Sequence, residues 1–314
     1  GRARLLLVIL MVTSLFLITL DLRGVKVIDS VIDDLTFDDT EFLKSVKLTN
    51  GETIEADMWF DCSGFNKVLM GKTRNKWISF KEHLPCNTAI PFSTDVNSRT
   101  VKFETEAHAR EAGWTWKIPL QHRHGCGYVF CDGFTTEDKA IEELEKKLGH
   151  KVEPIKTIKF DPGRYEEPWY NNIVANGLSS HFLEPLQATS VHMSIISITN
   201  LVWFFLKSPE SIYSSGCRDS YNRMINTMID DYRDMIQMHY LCGRNDTPFW
   251  KSIKNEIVIT DKNKENIILH TSSDAYNETF FIDNFLNKNI KCDFMLDDGP
   301  HSLESMKQCI RLYS

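Results

Sequence analysis

Residues 181–192 read HFLEPLQATSVH. They follow NNIVANGL (171–178), a run that reads as a buried strand ending in glycine, and they lead into a long apolar segment. A Glu-Pro turn followed by small polar residues at a strand-to-helix junction suits an anion. The free N–H groups of a helix start point outward, and the helix dipole favours negative charge there. Thr189 in such a place is either a plain helix cap or an anion-facing residue.

Working outward, the 314 residues suffice for one large domain or two ordinary ones. A content of 42% hydrophobic and 25% charged residues is that of a globular chain. The net charge of −7, with no Lys/Arg-rich run, argues against nucleic acid as the main partner. Eight cysteines (62, 86, 126, 131, 217, 242, 292 and 309) form no CxxC pair, which predicts reduced cytosolic thiols rather than a disulfide framework. The N-terminus carries basic residues and then sixteen mostly apolar positions, Leu5 to Leu20. That run is shorter than the roughly 20 residues of a membrane span and holds Thr13, Ser14 and Thr19. A buried helix, or a stretch altered by a shifted reading frame, is expected instead, in a chain that starts inside a longer protein.

Residues 25–61 predict strands, with Asn50-Gly51 as a tight hairpin turn between two of them. ADMWFDCSGF (56–65) reads as a buried strand whose Ser63-Gly64 end faces a ligand. WTWKIPLQHRHGCGYVFC (114–131) reads as two strands around a Gly125–Gly127 turn. TTEDKAIEELEKKLG (135–149) predicts a helix capped by Thr135 or Thr136, with Ile141, Leu144 and Leu148 on one face and Gly149 as its stop. An apolar helix is expected over 191–206 and a long amphipathic one over 218–241, its methionines filling core. From about 255 the character changes to that of another α/β unit. His122 and His124 read as hairpin residues without a third metal ligand, and His239 as a satisfied helix residue.

No GxGxxG loop occurs in the chain, yet separated motifs bring a family into view. GWTWKIP (113–119) contains W-x-W-x-I-P, and ADMWFDCSGF, LPCNTAI, IPLQHRHGCGYVF, GLSSHFLEPLQATSVH and RNDTPFW follow a fixed order around it. Over about residues 23–254 the chain resembles the flavin-dependent tryptophan halogenases. The resemblance implies an α+β fold with α/β parts. It would be a partial Rossmann-like FAD-binding fold of the flavin monooxygenase type, with a mixed β-sheet substrate region and long C-terminal helices. It also implies a cytoplasmic enzyme using reduced FAD (FADH2) and chloride or bromide. By that resemblance, hypohalous acid would form at a flavin hydroperoxide and halogenate tryptophan or another indole beside a lysine. The implied partners are a small aromatic substrate and a separate flavin reductase, with a homodimer as one assembly and neither nucleic acid nor membrane.

Carried over by that resemblance, Trp114 and Trp116 line the region between flavin and substrate. Thr189 and Ser190 hold the halide, Val191 and Leu178 lie against the flavin, and Val31 meets its adenine side. The family has glutamate where this chain has Gln187, whose amide hydrogen-bonds but is no general base at neutral pH. The chain is therefore expected either to halogenate poorly or to be a non-catalytic flavin-fold remnant. The phosphate loop and the catalytic lysine are expected upstream of residue 1, and the substrate-clamping helices after RNDTPFW. CDFMLDDGPHSLESM (292–306) instead resembles a SAM-dependent methyltransferase segment, with Asp297, Asp298 and His301 as candidate metal ligands. The expected division is thus a halogenase-like domain over 1–254 and a methyltransferase-like fragment over 255–314, whose core would lie beyond Ser314.

Overall fold

A computed structural model describes residues 5–9, 24–95, 104–241 and 244–261, all within a compact unit spanning Gly1–Glu265. Asp297, Asp298 and His301 lie outside the described residues. The chain begins with β1 (Leu5–Ile9) and a meander of β2 (Ile32–Phe37), β3 (Leu43–Leu48) and β4 (Thr53–Glu55). It continues through β5 (Met58–Cys62) and β6 (Trp77–Ser79). The strands β7 (Thr88–Thr94), β8 (Glu106–Ala109), β9 (Gly113–Pro119) and β10 (His124–Phe130) precede helix α1 (Glu137–Leu148). Short strands follow: β11 (Ile158–Lys159), β12 (Gly163–Tyr165), β13 (Trp169–Tyr170), β14 (Ile173–Ala175) and β15 (His181–Phe182). The described chain closes with α2 (Thr189–Asn200), a π-helical turn (Leu201–Phe205), α3 (Ser215–Tyr240) and α4 (Pro248–Glu256).

The nucleotide-type element is a sheet in the order β1-β5-β14-β13, in which β1, β5 and β14 run parallel. Leu5–Ile9 is thus a strand paired with Met58–Cys62, not the buried helix expected from its apolar run. Apolar runs of this kind carry no period that separates a buried strand from a buried helix. Because β5 and β14 are parallel neighbours, their glycine-bearing ends emerge at one edge. Gly64 (φ 68°) and Gly177 (φ 62°) lead the two turns there, and those turns pack together. The backbone N–H of Asn176 donates to the Asp61 carbonyl at 2.9 Å and ties the edge.

The meander folds over this sheet. Its turn is where Asn50-Gly51 put it, with Gly51 at φ 87° and its N–H donating to Leu48 O at 2.9 Å. Only Gly51, not Asn50, takes the left-handed conformation. Leu43, Val46, Trp59, Leu69 and Met70 form the core between the two layers. Trp59 Nε1 donates to Leu43 O at 2.8 Å, so even the indole polar atom is used.

A five-stranded antiparallel sheet, β11-β7-β10-β9-β8, makes the second layer. The alternation along its strands separates two faces. Ile90, Phe92, Tyr128 and Phe130 pack under α1 with Ala140 and Leu144. Ala89, Trp114 and Val129 face the opposite core, which α3 and α4 complete with Tyr221, Ile225, Ile229, Phe249 and Trp250. Helix α1 has the expected caps: the Thr136 side chain accepts from Lys139 N, and Gly149 sits at φ 74°. Burying Leu144, 1% exposed, contributes about 2 kcal/mol.

The hairpin turn is Leu120–Arg123, closed by Leu120 N donating to Arg123 O at 2.9 Å. Gly125 and Gly127 lie inside β10, so the turn expected at Gly125–Gly127 is displaced. Gly127 has another reason to be glycine. A Cβ there would stand 2.0 Å from the Trp116 ring, its cross-strand partner. His122 is exposed in the turn, and the His239 ring lies 2.9 Å from Met235 O, as expected of a satisfied helix residue. Cys62, Cys86, Cys126, Cys131 and Cys217 are free thiols.

Candidate functional site at the edge of the parallel sheet

The site is built where β14 ends. After Ala175 the chain makes a 3-10 turn, Gly177–Ser179, returns through β15 and reaches the Glu-Pro loop. A Cβ on Gly177 would lie 3.2 Å from Ser194 Oγ, so α2 sits directly on this strand-end turn. Leu178 is half-buried in the turn.

The loop enters α2 through two consecutive left-handed residues, Gln187 (φ 58°, ψ 18°) and Ala188 (φ 51°, ψ 26°). Neither is glycine, so each costs about 1–2 kcal/mol of backbone strain. Thr189 then returns to φ −54°, ψ −40°. A left-handed residue followed by a right-handed one turns successive N–H groups toward a common point, an anion-binding nest. Here that nest coincides with the first turn of α2, whose N–H groups have no intrahelical partner. Ala188 precedes the helix without a side-chain cap, which disposes of Thr189 as an ordinary N-cap.

Side-chain polar atoms point the same way. Among the described residues, eight buried side-chain N or O atoms have no hydrogen-bond partner, and six of them belong to this one stretch. They are Asn176 Oδ1, Ser179 Oγ, both ring nitrogens of His181, Thr189 Oγ1 and Ser190 Oγ. Folded proteins leave few such atoms, and a cluster of them marks a place that a ligand or water completes. The donor set fits a halide at the α2 start, and the glycine-lined edge fits a flavin. Burial lowers the His181 pKa to about 4, so this ring is neutral at physiological pH.

The structure brings most of the expected residues together. Thr189 is buried, Ser190 half-buried, and Gln187 and Val191 exposed at one junction, with Leu178 on the adjoining turn. Trp114 and Trp116 stand side by side on β9, ring centroids 6.0 Å apart. Their cross-strand partners, Val129 and Gly127, place both on the face that meets the core of α3 and α4. Trp114 is joined to the Glu-Pro loop, its Nε1 donating to Glu184 Oε2 at 2.8 Å. Val31 stands apart on the meander, 68% exposed, with its carbonyl accepting from Thr49 N.

Asp61 and Lys67 gave no sequence signal, and Glu184 gave only that of a Glu-Pro turn. Asp61 is fully buried at the end of β5 and accepts from Ser63 N, Ser63 Oγ, Leu69 N and Met70 N. Lys67 holds its ammonium 3.1 Å from the Trp77 ring centre, where burial lowers its pKa to about 8. Glu184, read as a structural Glu-Pro residue, is fully buried against Trp114 and Tyr240. Its neighbour Pro185 hints at a fixed loop, but nothing in the sequence points to Tyr240. Among the described residues no group of three His, Cys, Asp or Glu is arranged for a metal ion.

A parallel sheet with glycine-led turns at one edge, a nest at the start of α2 and a paired W-x-W strand carry the motifs on which the resemblance to flavin-dependent halogenases rests. The family model for tryptophan halogenase matches residues 15–292, and the chain belongs to that family. That match runs past residue 254 into the segment read as methyltransferase-like, and nothing in it supports a methyltransferase tail. The chain is 34% identical to the tryptophan 7-halogenase RebH of Lentzea aerocolonigenes over 262 residues, 81% of this chain and 48% of RebH. It is 33% identical to the tryptophan 6-halogenase ThaL of Streptomyces albogriseolus, over 78% of this chain and 46% of ThaL. The crystal structure of tryptophan 6-halogenase SttH from Streptomyces toxytricini superposes with a TM-score of 0.73 at 32% identity, covering 78% of this chain and 48% of SttH. The fold is thus the Rossmann-like, mixed-sheet fold of the flavin-dependent halogenases. The chain spans about half the length of the curated relatives it matches.

Proposed function

We propose that this chain is part of an FADH2-dependent halogenase acting on tryptophan or another indole, with chloride or bromide as the halide. The observation that carries the reading is the junction at 187–190, where a nest, a helix start and unpartnered hydroxyls of Thr189 and Ser190 converge. Reduced FAD, when bound, supplies the oxygen activation that turns halide into hypohalous acid. The chain's own residues do the rest. The N–H groups of Thr189 and Ser190 hold the halide without a cation. Val191 and Leu178 offer apolar contact to the flavin ring, and Val31 is assigned to the adenine side. Trp114 and Trp116 wall the passage toward the substrate and exclude water from it.

Gln187 orients but takes no proton, because its amide is not basic at neutral pH. That residue favours a second reading, a flavin-fold remnant with little turnover. A separate flavin reductase, a homodimeric assembly and a cytoplasmic location belong to the proposal as well. We keep 1–254 as the expected halogenase-like portion and assign no methyltransferase chemistry to the tail.

The test uses the full-length protein with a flavin reductase, FAD, bromide or chloride, and tryptophan or a panel of indoles. Mass spectrometry is expected to find monohalogenated product. Its absence from every substrate, while the protein still binds FAD, supports the remnant reading instead.

A further inference from the structure

The Glu-Pro loop carries a carboxylate with no assigned chemistry. Glu184 is fully buried, and its hydrogen bonds all come from neutral donors. Trp114 Nε1 donates to Oε2 at 2.8 Å, and the Tyr240 hydroxyl lies 2.8 and 2.7 Å from Oε1 and Oε2. Tyr240 Oη is also 3.2 Å from Cys86 Sγ, and both residues are buried. The groups facing the carboxylate are therefore Trp114 from β9, Tyr240 from the end of α3, and Cys86 ahead of β7. Cys131 lies next beyond Cys86. Among these neighbours none is a cation.

A carboxylate in such surroundings holds its proton more tightly than in water, because burial disfavours the charge and two neutral donors offset it only in part. Burial raises the Glu184 pKa to about 7. The protons can be counted in both states. With Glu184 ionised, Tyr240 donates to the carboxylate, and the Cys86 thiol donates to Val129 O, 4.0 Å away, or turns to Tyr240 Oη. With Glu184 protonated, its O–H donates to Tyr240 Oη, and the tyrosine proton turns to Cys86 Sγ. Each state satisfies the triad. The Trp114 N–H is the one donor held in both, and its bond is stronger when the acceptor is charged.

We infer that Glu184 is a positioning residue for Trp114, and that its protonation, relayed through Tyr240 to Cys86, sets how firmly the indole is held against the loop that leads to Thr189 and Ser190. Its catalytic consequence rests on the halogenase reading, but the positioning does not. The effect on turnover is indirect: a looser Trp114 widens the passage between the flavin edge and the substrate.

The experiment observes the tryptophan indole N–H signals of the full-length protein by 15N NMR, with Trp114 identified by its loss in Trp114→Phe. The Trp114 signal is expected to titrate in one step near pH 7. In Glu184→Gln it is expected to stay sharp, since an acceptor remains, but no longer to titrate. In Tyr240→Phe the step moves to higher pH, because the carboxylate loses a donor that favours its charge. A Trp114 signal that titrates unchanged in Glu184→Gln, or a step unmoved in Tyr240→Phe, overturns the inference. These outcomes need no turnover, so a protein that halogenates nothing still decides them. Where the wild type does halogenate, Glu184→Gln should flatten the pH profile of kcat around 7 and leave KM for the aromatic substrate within about twofold. A profile that keeps its inflection there also overturns it.

Discussion

Asp61→Ala is expected to unfasten the ligand edge of the parallel sheet. The Asp61 carboxylate is fully buried at the end of β5 and takes four hydrogen bonds, from Ser63 N at 3.0 Å, Ser63 Oγ at 2.6 Å, Leu69 N at 2.9 Å and Met70 N at 2.8 Å. Truncation leaves three backbone N–H groups without an acceptor. Ser63 Oγ keeps a role, because it still accepts from Val68 N at 2.7 Å. Each buried donor left unpaired costs about 1–3 kcal/mol. The terms overlap, and removing a buried charge offsets part of the loss, so about 3–4 kcal/mol is expected overall. Asp61→Asn keeps one oxygen but turns an amide toward N–H donors on whichever side it faces, and should cost about 2 kcal/mol. Urea unfolding of the full-length protein measures both through the midpoint at constant slope. Amide hydrogen exchange at 63–70 reports whether that loop loosens first. A loss below about 1 kcal/mol for Asp61→Ala, or unchanged protection at Leu69 and Met70, refutes the reasoning.

Other expectations follow from single contacts. Gln187→Glu restores a carboxylate at the exposed left-handed position before α2 and should raise halogenation turnover; an unchanged rate in a steady-state assay removes the proposed role of residue 187. Gly127→Ala places a Cβ 2.0 Å from the Trp116 ring, and should cost about 1–3 kcal/mol and alter the near-ultraviolet circular dichroism. Two buried groups give opposite pH dependences. The folded His181 has its pKa lowered from 6.5 to about 4, so its stabilisation is full above 6.5 and is lost as pH falls toward 4. The folded Glu184 has its pKa raised from 4.5 to about 7, so its stabilisation is full below 4.5 and is lost as pH rises through 7. Each effect is about 3 kcal/mol and they nearly cancel in the wild type. His181→Leu should therefore expose stability that falls as pH rises from 4.5 to 7, and Glu184→Gln stability that rises with pH from 4 to 6.5, both read by denaturant midpoints.

Local signals in the sequence carried most of the elements. Thr136 and Gly149 bracket α1 because a cap and a left-handed stop act within one turn of chain. The apolar stripe of α3 was visible because it repeats along one helix. The features without a local signal depend on contacts far apart in sequence. Leu5–Ile9 becomes a strand only because β5 lies beside it. Gly125 and Gly127 resemble a turn until Trp116 is seen to lie across the second of them. The site followed the same rule. Thr189, Ser190, Val191 and Leu178 were legible through motif order, and the structure brings them to one junction. The left-handed pair Gln187-Ala188 was not, since neither residue advertises a positive φ as glycine would. The Glu184–Tyr240 contact spans 56 positions and has no sequence signature.

The proposed halide nest is tested most directly by anomalous diffraction from crystals of the full-length protein soaked in bromide with FAD present. The account predicts a bromide peak within hydrogen-bond distance of the Thr189 and Ser190 N–H groups at the start of α2, lost when bromide is replaced by acetate. Bromide bound elsewhere, with those two amides in contact only with water, would contradict it.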